Sequence, residues 1–187
     1  MPTLEQFETN CVSIEKLQKI YSFTVMVETG CYIGESLEHA SSYDFILEIY
    51  SCDINEDFVD ACKKKFQSKS HIKIFNEDSH SFLHRLLPSL DHHDSIFFWL
   101  DAHYWKSYIP EYNNIDYPLV KELNIIDQYR KDKNDVIVID DVYTYIKKSE
   151  NFKHTHNIPK TGTEFLKKFN YSITNFDSDS GYLLLTR

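Results

Sequence analysis

Short apolar runs alternate along this chain with segments of helical periodicity, and this alternation is the feature that most constrains the fold. The runs are rich in β-branched and aromatic residues, which favour strands: Thr24–Val27, Ile49–Cys52, Ile72–Phe75, Ser95–Leu100 and Val136–Ile139. The segments between them place apolar residues three and four positions apart: Glu35–Ser42, Glu56–Ser68, Ser79–Leu87 and Pro118–Lys131. Strands that are apolar throughout and joined by helices indicate a parallel sheet with helices on both faces.

The two ends of the chain depart from this alternation. The last residues read YSITNF and GYLLLTR, separated by the polar stretch DSDS, which predicts an antiparallel hairpin. The first 23 residues predict one or two helices before the first strand. We therefore expect a single α/β domain over residues 1–187 with a helical extension over residues 1–23. Its sheet is expected to be Rossmann-like, doubly wound, mostly parallel and seven-stranded, with a C-terminal antiparallel hairpin.

Charge and cysteine usage limit the partners of the protein. The chain has 20 Lys and Arg against 29 Asp and Glu, a net charge of −9, which opposes binding to a phosphate backbone. No apolar stretch approaches the ~18 residues of a membrane span, and the N-terminus has no apolar signal segment. The four cysteines form no CxxC pair and are expected to be reduced, buried thiols. We expect a cytoplasmic protein with a small-molecule substrate and no nucleic-acid or membrane partner, with a homodimer as one candidate assembly.

The stretch VETGCYIGES, residues 27–36, holds two of the four glycines in the chain, Gly30 and Gly34. In an open α/β sheet, ligands bind beyond the carboxyl end of the first strand, where glycine permits positive φ and close backbone approach. A dinucleotide site requires GxGxxG, whereas this loop reads ExGxxxG. Its acid, Glu28, repels a pyrophosphate and attracts an ammonium group. An ordinary tight turn with two glycines is the alternative.

Polar residues also follow the second and third predicted strands. Asp53 ends the second strand, 25 residues after Glu28, where an acid can accept hydrogen bonds from ribose hydroxyls. Asp78 and Ser79 follow the third strand and could bond to the edge of an adenine. Each has an alternative role as a helix cap, Asp53 for the helix that begins at Glu56 and Asp78 with Ser79 for the next helix.

Taken in order, Glu28-x-Gly30-x-x-x-Gly34, Asp53 and Asp78–Ser79 resemble the motifs of the class I S-adenosylmethionine-dependent methyltransferases. The resemblance extends over nearly the whole chain and includes the terminal hairpin. It implies that S-adenosylmethionine is the cofactor, with Glu28 and the loop facing its methionine part, Asp53 its ribose and Asp78 its adenine. Tyr32 stands where many relatives have a further glycine. The residues expected to bind the cofactor are Glu28, Thr29, Gly30, Ile33, Gly34, Ser36, Asp53, Ile54, Asp78, Ser79 and Asp101.

A second group of acids follows the fourth and fifth strands, in SIFFWLDAHYW and VIVIDDV. Convergent carboxylates raise one another's pKa unless a cation compensates, and oxygen ligands suit Mg²⁺. The two motifs are similar to those of the metal-dependent sugar O-methyltransferases, which implies that Asp101, Asp140 and Asp141 hold Mg²⁺. His103 lies where those relatives carry a second acid, and we predict that it acts beside Asp101 as the catalytic base. A solvated surface histidine is the alternative.

These residues predict an S-adenosylmethionine-dependent methyltransferase that acts on a hydroxyl of a small molecule, with a sugar as one candidate and a divalent cation as an aid. A small-molecule N-methyltransferase and a non-catalytic S-adenosylmethionine or nucleotide-binding module on the same fold are the alternatives. The acids after the fourth and fifth strands favour an enzyme, because a binding module has no need of them. A nicotinamide oxidoreductase is disfavoured by the missing third glycine and by Glu28.

Overall fold

The computed structural model describes residues 3–102, 118–141, 167–175 and 181–187. The strands are β1 Val25–Thr29, β2 Glu48–Asp53, β3 Ile72–Asn76, β4 Phe97–Leu100, β5 Val136–Ile139, β6 Asn170–Asn175 and β7 Gly181–Thr186. The helices are α1 Leu4–Asn10, α2 Ile14–Tyr21, α3 Glu35–Ala40, α4 Glu56–Lys65, α5 Ser79–Leu86 and α6 Pro118–Arg130. A 3₁₀ turn, Leu87–Leu90, follows α5.

The strands form one mixed sheet in the order β3-β2-β1-β4-β5-β7-β6. The first five strands pair in parallel, whereas β7 is antiparallel to both β5 and β6. Chain order reverses between β1 and β4, which places a topological switch point next to the carboxyl end of β1. The α/β class, the mostly parallel sheet and the C-terminal antiparallel hairpin are confirmed.

Helices cover both faces of the sheet, as the continuous apolar strands predict. On one face, α1 to α4 pack through side chains such as Phe7, Leu17, Leu37 and Val59. On the other face, α5 and α6 contribute Leu83 and Leu123 among others. Burial on both faces explains why every residue of β1, β4 and β5 is buried.

The first strand is longer than its apolar run predicts. The prediction ended it at Val27, whereas β1 continues to Thr29, and Glu28 pairs in register with Ser51 of β2. Glu28 is fully buried, which a strand interior tolerates only when the carboxyl group has hydrogen-bond partners. The prediction that Glu28 and Thr29 lie in the loop is therefore wrong, and the loop proper begins at Gly30.

Two helices precede β1 and pack on the sheet. Each has a side-chain cap at its N-terminus, from Thr3 for α1 and from Ser13 for α2. Phe7 of α1 makes edge contacts with Trp99 of β4 and Tyr182 of β7, at ring-centroid distances of 5.9 and 5.1 Å. The Tyr182 hydroxyl donates to the Thr3 carbonyl oxygen at 2.8 Å. The N-terminal segment is thus fixed to the middle of the sheet.

None of the four cysteines is in a disulfide; Cys31, Cys52 and Cys62 are buried, and Cys11 is half-buried. Within the described ranges, the helices are too short and too polar for any of them to cross a membrane.

Candidate functional site

The loop after β1, residues 30–34, is called the glycine loop here. Gly30 and Gly34 both have positive φ, +89° and +75°, and so does Tyr32 at +42°. A Cβ on Gly30 would lie 2.7 Å from the Asp101 carbonyl oxygen, so the loop packs directly against the backbone that follows β4. A Cβ on Gly34 would lie 2.7 Å from the Phe66 ring. Both glycines are therefore required by close approach as well as by backbone conformation.

Glu28 lies beneath this loop and is held by two serines. Its carboxyl oxygens accept hydrogen bonds from Ser36 Oγ at the start of α3 and from Ser51 Oγ of β2, the latter at 2.5 Å. The pKa of Glu28 is raised to about 8. Burial is the largest cause, the hydrogen bonds from the two serines oppose it, and the Asp101 charge adds to it. The sequence placed this carboxyl group against the methionine part of a cofactor. In the structure it joins β1, β2 and α3 under the loop.

Asp53 connects the end of β2 to the glycine loop. Its Oδ2 accepts the backbone N–H of Tyr32 at 3.1 Å, and its Oδ1 accepts the backbone N–H of Asn55 at 2.9 Å. The cap of α4 is Asn55, which accepts from the Asp57 N–H, so the alternative that Asp53 caps this helix is wrong. A carboxylate offers about four acceptor sites, so Asp53 retains capacity for a ligand. The next residue, Ile54, is 56% exposed.

Asp78 and Ser79 form the start of α5. Asp78 Oδ1 accepts the backbone N–H groups of His80 and Ser81, each at 3.1 Å, so the helix-cap interpretation of Asp78 is confirmed. Burial raises the pKa of Asp78, but the bonds from Ser81 and His80 outweigh it and the net shift is downward. Ser79 is buried in the first turn. A contact of either residue with adenine stays a prediction.

Asp101 and Asp140 follow neighbouring strands, as the sequence predicts. Leu100 of β4 and Ile139 of β5 are paired in register, and the Asp140 N–H donates to the Leu100 carbonyl oxygen at 3.0 Å. Burial raises the pKa of Tyr182, and the charges of Asp140, Asp101 and Asp141 raise it further. Asp101 and Asp140 thus end two neighbouring strands at the same edge of the sheet, and Tyr182 lies near that edge because Leu183 pairs with Ile139.

The predicted Mg²⁺ site of the three acids finds no support within the described residues. Asp140 Oδ1 accepts the backbone N–H of Asp141 at 2.6 Å, and Asp141 has a left-handed φ of +52°. One oxygen of the Asp140 carboxylate is thus bound to the backbone of the next residue, Asp141. Within the part of the chain that the structure describes, no group of three His, Cys, Asp or Glu side chains is arranged to hold a metal ion. His103, the predicted base, lies outside the described residues.

Two contributors to this site were not identified from the sequence. The Ser51 hydroxyl donates a hydrogen bond to Glu28, and the backbone N–H of Tyr32 donates one to Asp53. A usable signal for Ser51 was present, since it is a polar residue inside the apolar run that ends at Asp53. The Tyr32 bond depends on loop conformation, which a side-chain pattern does not carry.

The fold is shared with solved structures of methyltransferases and of a spermidine synthase. An O-methyltransferase from Bacillus cereus in complex with SAH is 11% identical and has a TM-score of 0.66, with 92% of this chain and 78% of that chain covered. The N-methyltransferase NodS from Bradyrhizobium japonicum WM9 is 12% identical, with a TM-score of 0.57 and coverage of 90% and 86%. A spermidine synthase from Thermotoga maritima is 8% identical, with a TM-score of 0.57 and coverage of 87% and 53%.

No protein-family model matches the sequence, and no curated protein matches it either. The similarity to solved structures therefore concerns the fold, and the activity has to be argued from the site.

Proposed function

We propose that this protein is an S-adenosylmethionine-dependent methyltransferase that acts on a hydroxyl group of a small molecule. The observation that carries the proposal is the placement of the glycine loop between two acids. Tyr32 in the loop bonds to Asp53, and Gly30 packs on the backbone of Asp101. This arrangement provides acceptor oxygens on both sides of the loop, which suits a cationic cofactor. Lys65 of α4 donates to the Ile33 carbonyl oxygen at 3.4 Å, so its ammonium group is already bound to the loop backbone.

The cofactor is proposed to lie along the carboxyl ends of β2, β1 and β4. Asp53 accepts hydrogen bonds from the ribose hydroxyls, and the exposed Ile54 side chain covers one face of the adenine. Asp101 receives the ammonium group of the methionine part. Thr29 and Ser36 support the loop from the strand and helix that flank it, Ile33 lies in the loop itself, and Asp78 and Ser79 lie at the adenine end.

Bound S-adenosylmethionine supplies a methyl group on a positively charged sulfur. The chain contributes position and proton removal: the glycine loop fixes the cofactor in line with the acceptor, and His103 takes the proton of the acceptor hydroxyl. Trp99 and Tyr182 form a buried aromatic floor below the strand ends and exclude water from that side. Turnover measured with and without a chelator tests whether a divalent cation assists, as the acids after β4 and β5 predict.

Methyl transfer to an amine is the second candidate. Asp101, Asp140 and Asp141 concentrate negative charge near Tyr182, and such a group of acids attracts an ammonium acceptor and can take its proton. An acceptor panel separates the two candidates. Sugars and other alcohols are tested against amines of similar size, with formation of S-adenosylhomocysteine as the measured product. A protein that binds the cofactor but forms no product with any acceptor would favour the binding-module alternative.

The test of the cofactor site is calorimetric titration of S-adenosylmethionine. Hydrogen bonds to a charged group contribute about 1.5–3 kcal/mol, so Asp53→Ala should weaken binding at least about tenfold. Asp60→Ala is the matched control, because Asp60 is an exposed acid on α4 and its loss changes the net charge equally. Equal affinity in the two variants would refute the assignment of Asp53. Once an acceptor is known, an unaltered rate in His103→Ala would refute the assignment of the base.

A further inference from the structure

Two thiols meet underneath the glycine loop. Cys62, in the middle of α4, donates from Sγ to the Tyr32 carbonyl oxygen at 3.2 Å. Cys31, the second residue of the loop, has its Sγ 3.9 Å from the same oxygen. Both side chains are buried, and Gly34 leaves room for the Cys62 sulfur, since a Cβ there would lie 3.1 Å from it. The loop therefore wraps around the Cys62 thiol.

The two thiols are unequal. A hydrogen bond with Cys62 raises the pKa of Cys31, and burial raises it further. The same bond lowers the pKa of Cys62; burial opposes this shift, and the nearby Lys65 charge adds to it. Because the thiolate is the reactive form, Cys62 is the nucleophile of the pair and Cys31 is the second thiol. The neighbouring loop residues Tyr32 and Ile33 are 41% and 44% exposed, so displacement of this one loop gives a small oxidant access.

The position of Cys31 matters because the adjoining backbone holds the site together. The N–H groups of Gly30 and Cys31 both donate to the Cys52 carbonyl oxygen, at 2.9 and 3.1 Å. The next N–H, that of Tyr32, donates to the Asp53 carboxylate. Any shift of Cys31 toward α4 thus changes the hydrogen bond that Tyr32 donates to Asp53.

We propose that Cys31 and Cys62 are a redox-sensitive pair, which a hydroperoxide converts to a disulfide that ties the glycine loop to α4 and lowers the affinity for S-adenosylmethionine. The part of the proposal that concerns affinity rests on the proposed function. The part that concerns the disulfide does not.

The oxidation takes place in two steps. The Cys62 thiolate attacks one oxygen of the hydroperoxide; the O–O bond breaks, and a sulfenic acid forms while water or an alcohol leaves. The Cys31 sulfur attacks the Cys62 sulfur, the S–O bond of the sulfenic acid breaks as the S–S bond forms, and the departing hydroxide takes the Cys31 thiol proton and leaves as water. Two thiols are oxidised and one hydroperoxide is reduced. A disulfide requires an S–S distance of about 2.05 Å, so the sulfurs must leave the Tyr32 oxygen that both now approach.

The loop moves in preference to the helix. Cys62 is fixed in a helix that packs in the core next to Phe66, whereas the loop has two glycines and a left-handed Tyr32. The Tyr32 N–H therefore loses its bond to Asp53 when the disulfide forms. A lost hydrogen bond to a charged group corresponds to roughly a tenfold change in affinity.

The experiment treats the full chain with stoichiometric hydrogen peroxide and maps the cysteines by mass spectrometry of digests without reductant. We expect a linked peptide that joins Cys31 and Cys62, together with faster hydrogen exchange of residues 30–34. We also expect S-adenosylmethionine to bind about tenfold more weakly, with affinity restored by dithiothreitol. Cys11→Ser is the matched control and should form the same link, whereas Cys31→Ser and Cys62→Ser should not.

Each other outcome counts against the proposal. Links that involve Cys11 or Cys52 in place of this pair, or no link at all, would overturn it. A Cys31–Cys62 link with unchanged exchange in the loop would overturn the effect on the site. If the reduced protein does not bind S-adenosylmethionine, the proposed function fails by itself, and peptide mapping with hydrogen exchange still decides whether the disulfide forms and moves the loop.

Discussion

Gly30 has the least room for substitution in the glycine loop. Its φ is +89°, and a Cβ added there would lie 2.7 Å from the Asp101 carbonyl oxygen, a backbone atom that no side-chain movement can displace. In Gly30→Ala the left-handed conformation costs about 1–2 kcal/mol, and the loop must also move away from β4. We expect a fold with normal circular dichroism and strongly weakened binding of S-adenosylmethionine in calorimetry.

Gly34→Ala provides the comparison for this variant. There a Cβ meets the Phe66 ring and the Cys62 sulfur, which are side-chain atoms of α4 and its C-terminal end, and does not meet the backbone that follows β4. The loss of affinity should therefore be smaller than in Gly30→Ala. The reverse order would mean that the approach of Gly30 to Asp101 does not shape the binding site.

Glu28 offers a second test at the scale of one residue, through pH. Its pKa is raised to about 8 in the folded state, mainly by burial, against an ordinary value of 4.5. The folded protein holds this proton where the unfolded chain has released it, so stability falls as pH rises from about 4.5 to about 8. In Glu28→Gln this dependence is absent, because the amide does not titrate.

Urea unfolding of both proteins at pH 5, 6.5 and 8 measures the difference. We expect the free energy of unfolding of the parent, relative to Glu28→Gln, to decrease steadily over this range. A difference that does not vary with pH would show that Glu28 ionises in the fold as it does in the unfolded chain.

At the scale of elements, Glu8 adds a polar connection between α1 and α3 to the apolar cluster that both helices share. Glu8 accepts hydrogen bonds from His39 Nε2 at 2.8 Å, from the Tyr43 hydroxyl, and from the Ile14 N–H at 2.9 Å. Burial raises the pKa of Glu8, but the bonds from Tyr43, His39 and Ile14 outweigh it and lower the value. Glu8 therefore stabilises the fold above its unfolded pKa, and this contribution is lost as pH falls through the lower folded pKa.

We expect Glu8→Ala to lower the free energy of unfolding at pH 7 by about 1–3 kcal/mol and to speed hydrogen exchange in α1. Glu5→Ala, which removes an exposed acid of the same helix, should have little effect. At a pH below the folded pKa the parent and Glu8→Ala should have similar stability. Equal loss in both variants at pH 7 would contradict a specific role for Glu8.

The elements themselves could be predicted closely from the sequence, and their contacts could not. The continuous apolar run predicts β5 at Val136–Ile139 correctly, because a strand buried on both faces is apolar over its whole length. The same criterion ended β1 too early, at Val27, because Glu28 is a polar residue inside the strand and is nevertheless buried. The bonds of Glu28 to Ser51 and of Glu8 to His39 join residues far apart in sequence. The hydrophobic pattern of the sequence predicts which face of a helix or strand a residue lies on, but it does not predict which atoms form hydrogen bonds with each other.

At the scale of the whole molecule, charge and topology together select the ligand. The net charge is −9, and Asp53 and Asp101 border the glycine loop at the switch point of the sheet. A pyrophosphate placed on this loop would meet repulsion from these acids, whereas a sulfonium and an ammonium would meet attraction. NAD and S-adenosylmethionine share an adenosine. They differ in the part that would lie on the glycine loop, which is a pyrophosphate in NAD and a sulfonium with an ammonium group in S-adenosylmethionine, so this site should distinguish them.

Thermal unfolding with each ligand measures this selectivity on the intact protein. At 100 times its Kd a ligand stabilises the fold by about 2.7 kcal/mol, which corresponds to a rise in Tm of about 5–11 °C for a chain of this size. We expect S-adenosylmethionine and S-adenosylhomocysteine to produce such a rise and NAD to produce none at equal concentration. The response to S-adenosylmethionine should fall to about half or less in Asp53→Ala, where binding is at least about tenfold weaker, and persist in full in Asp60→Ala. A larger shift with NAD would mean that the acids around the loop do not govern the choice of ligand, and the methyltransferase proposal would then lose its physical basis.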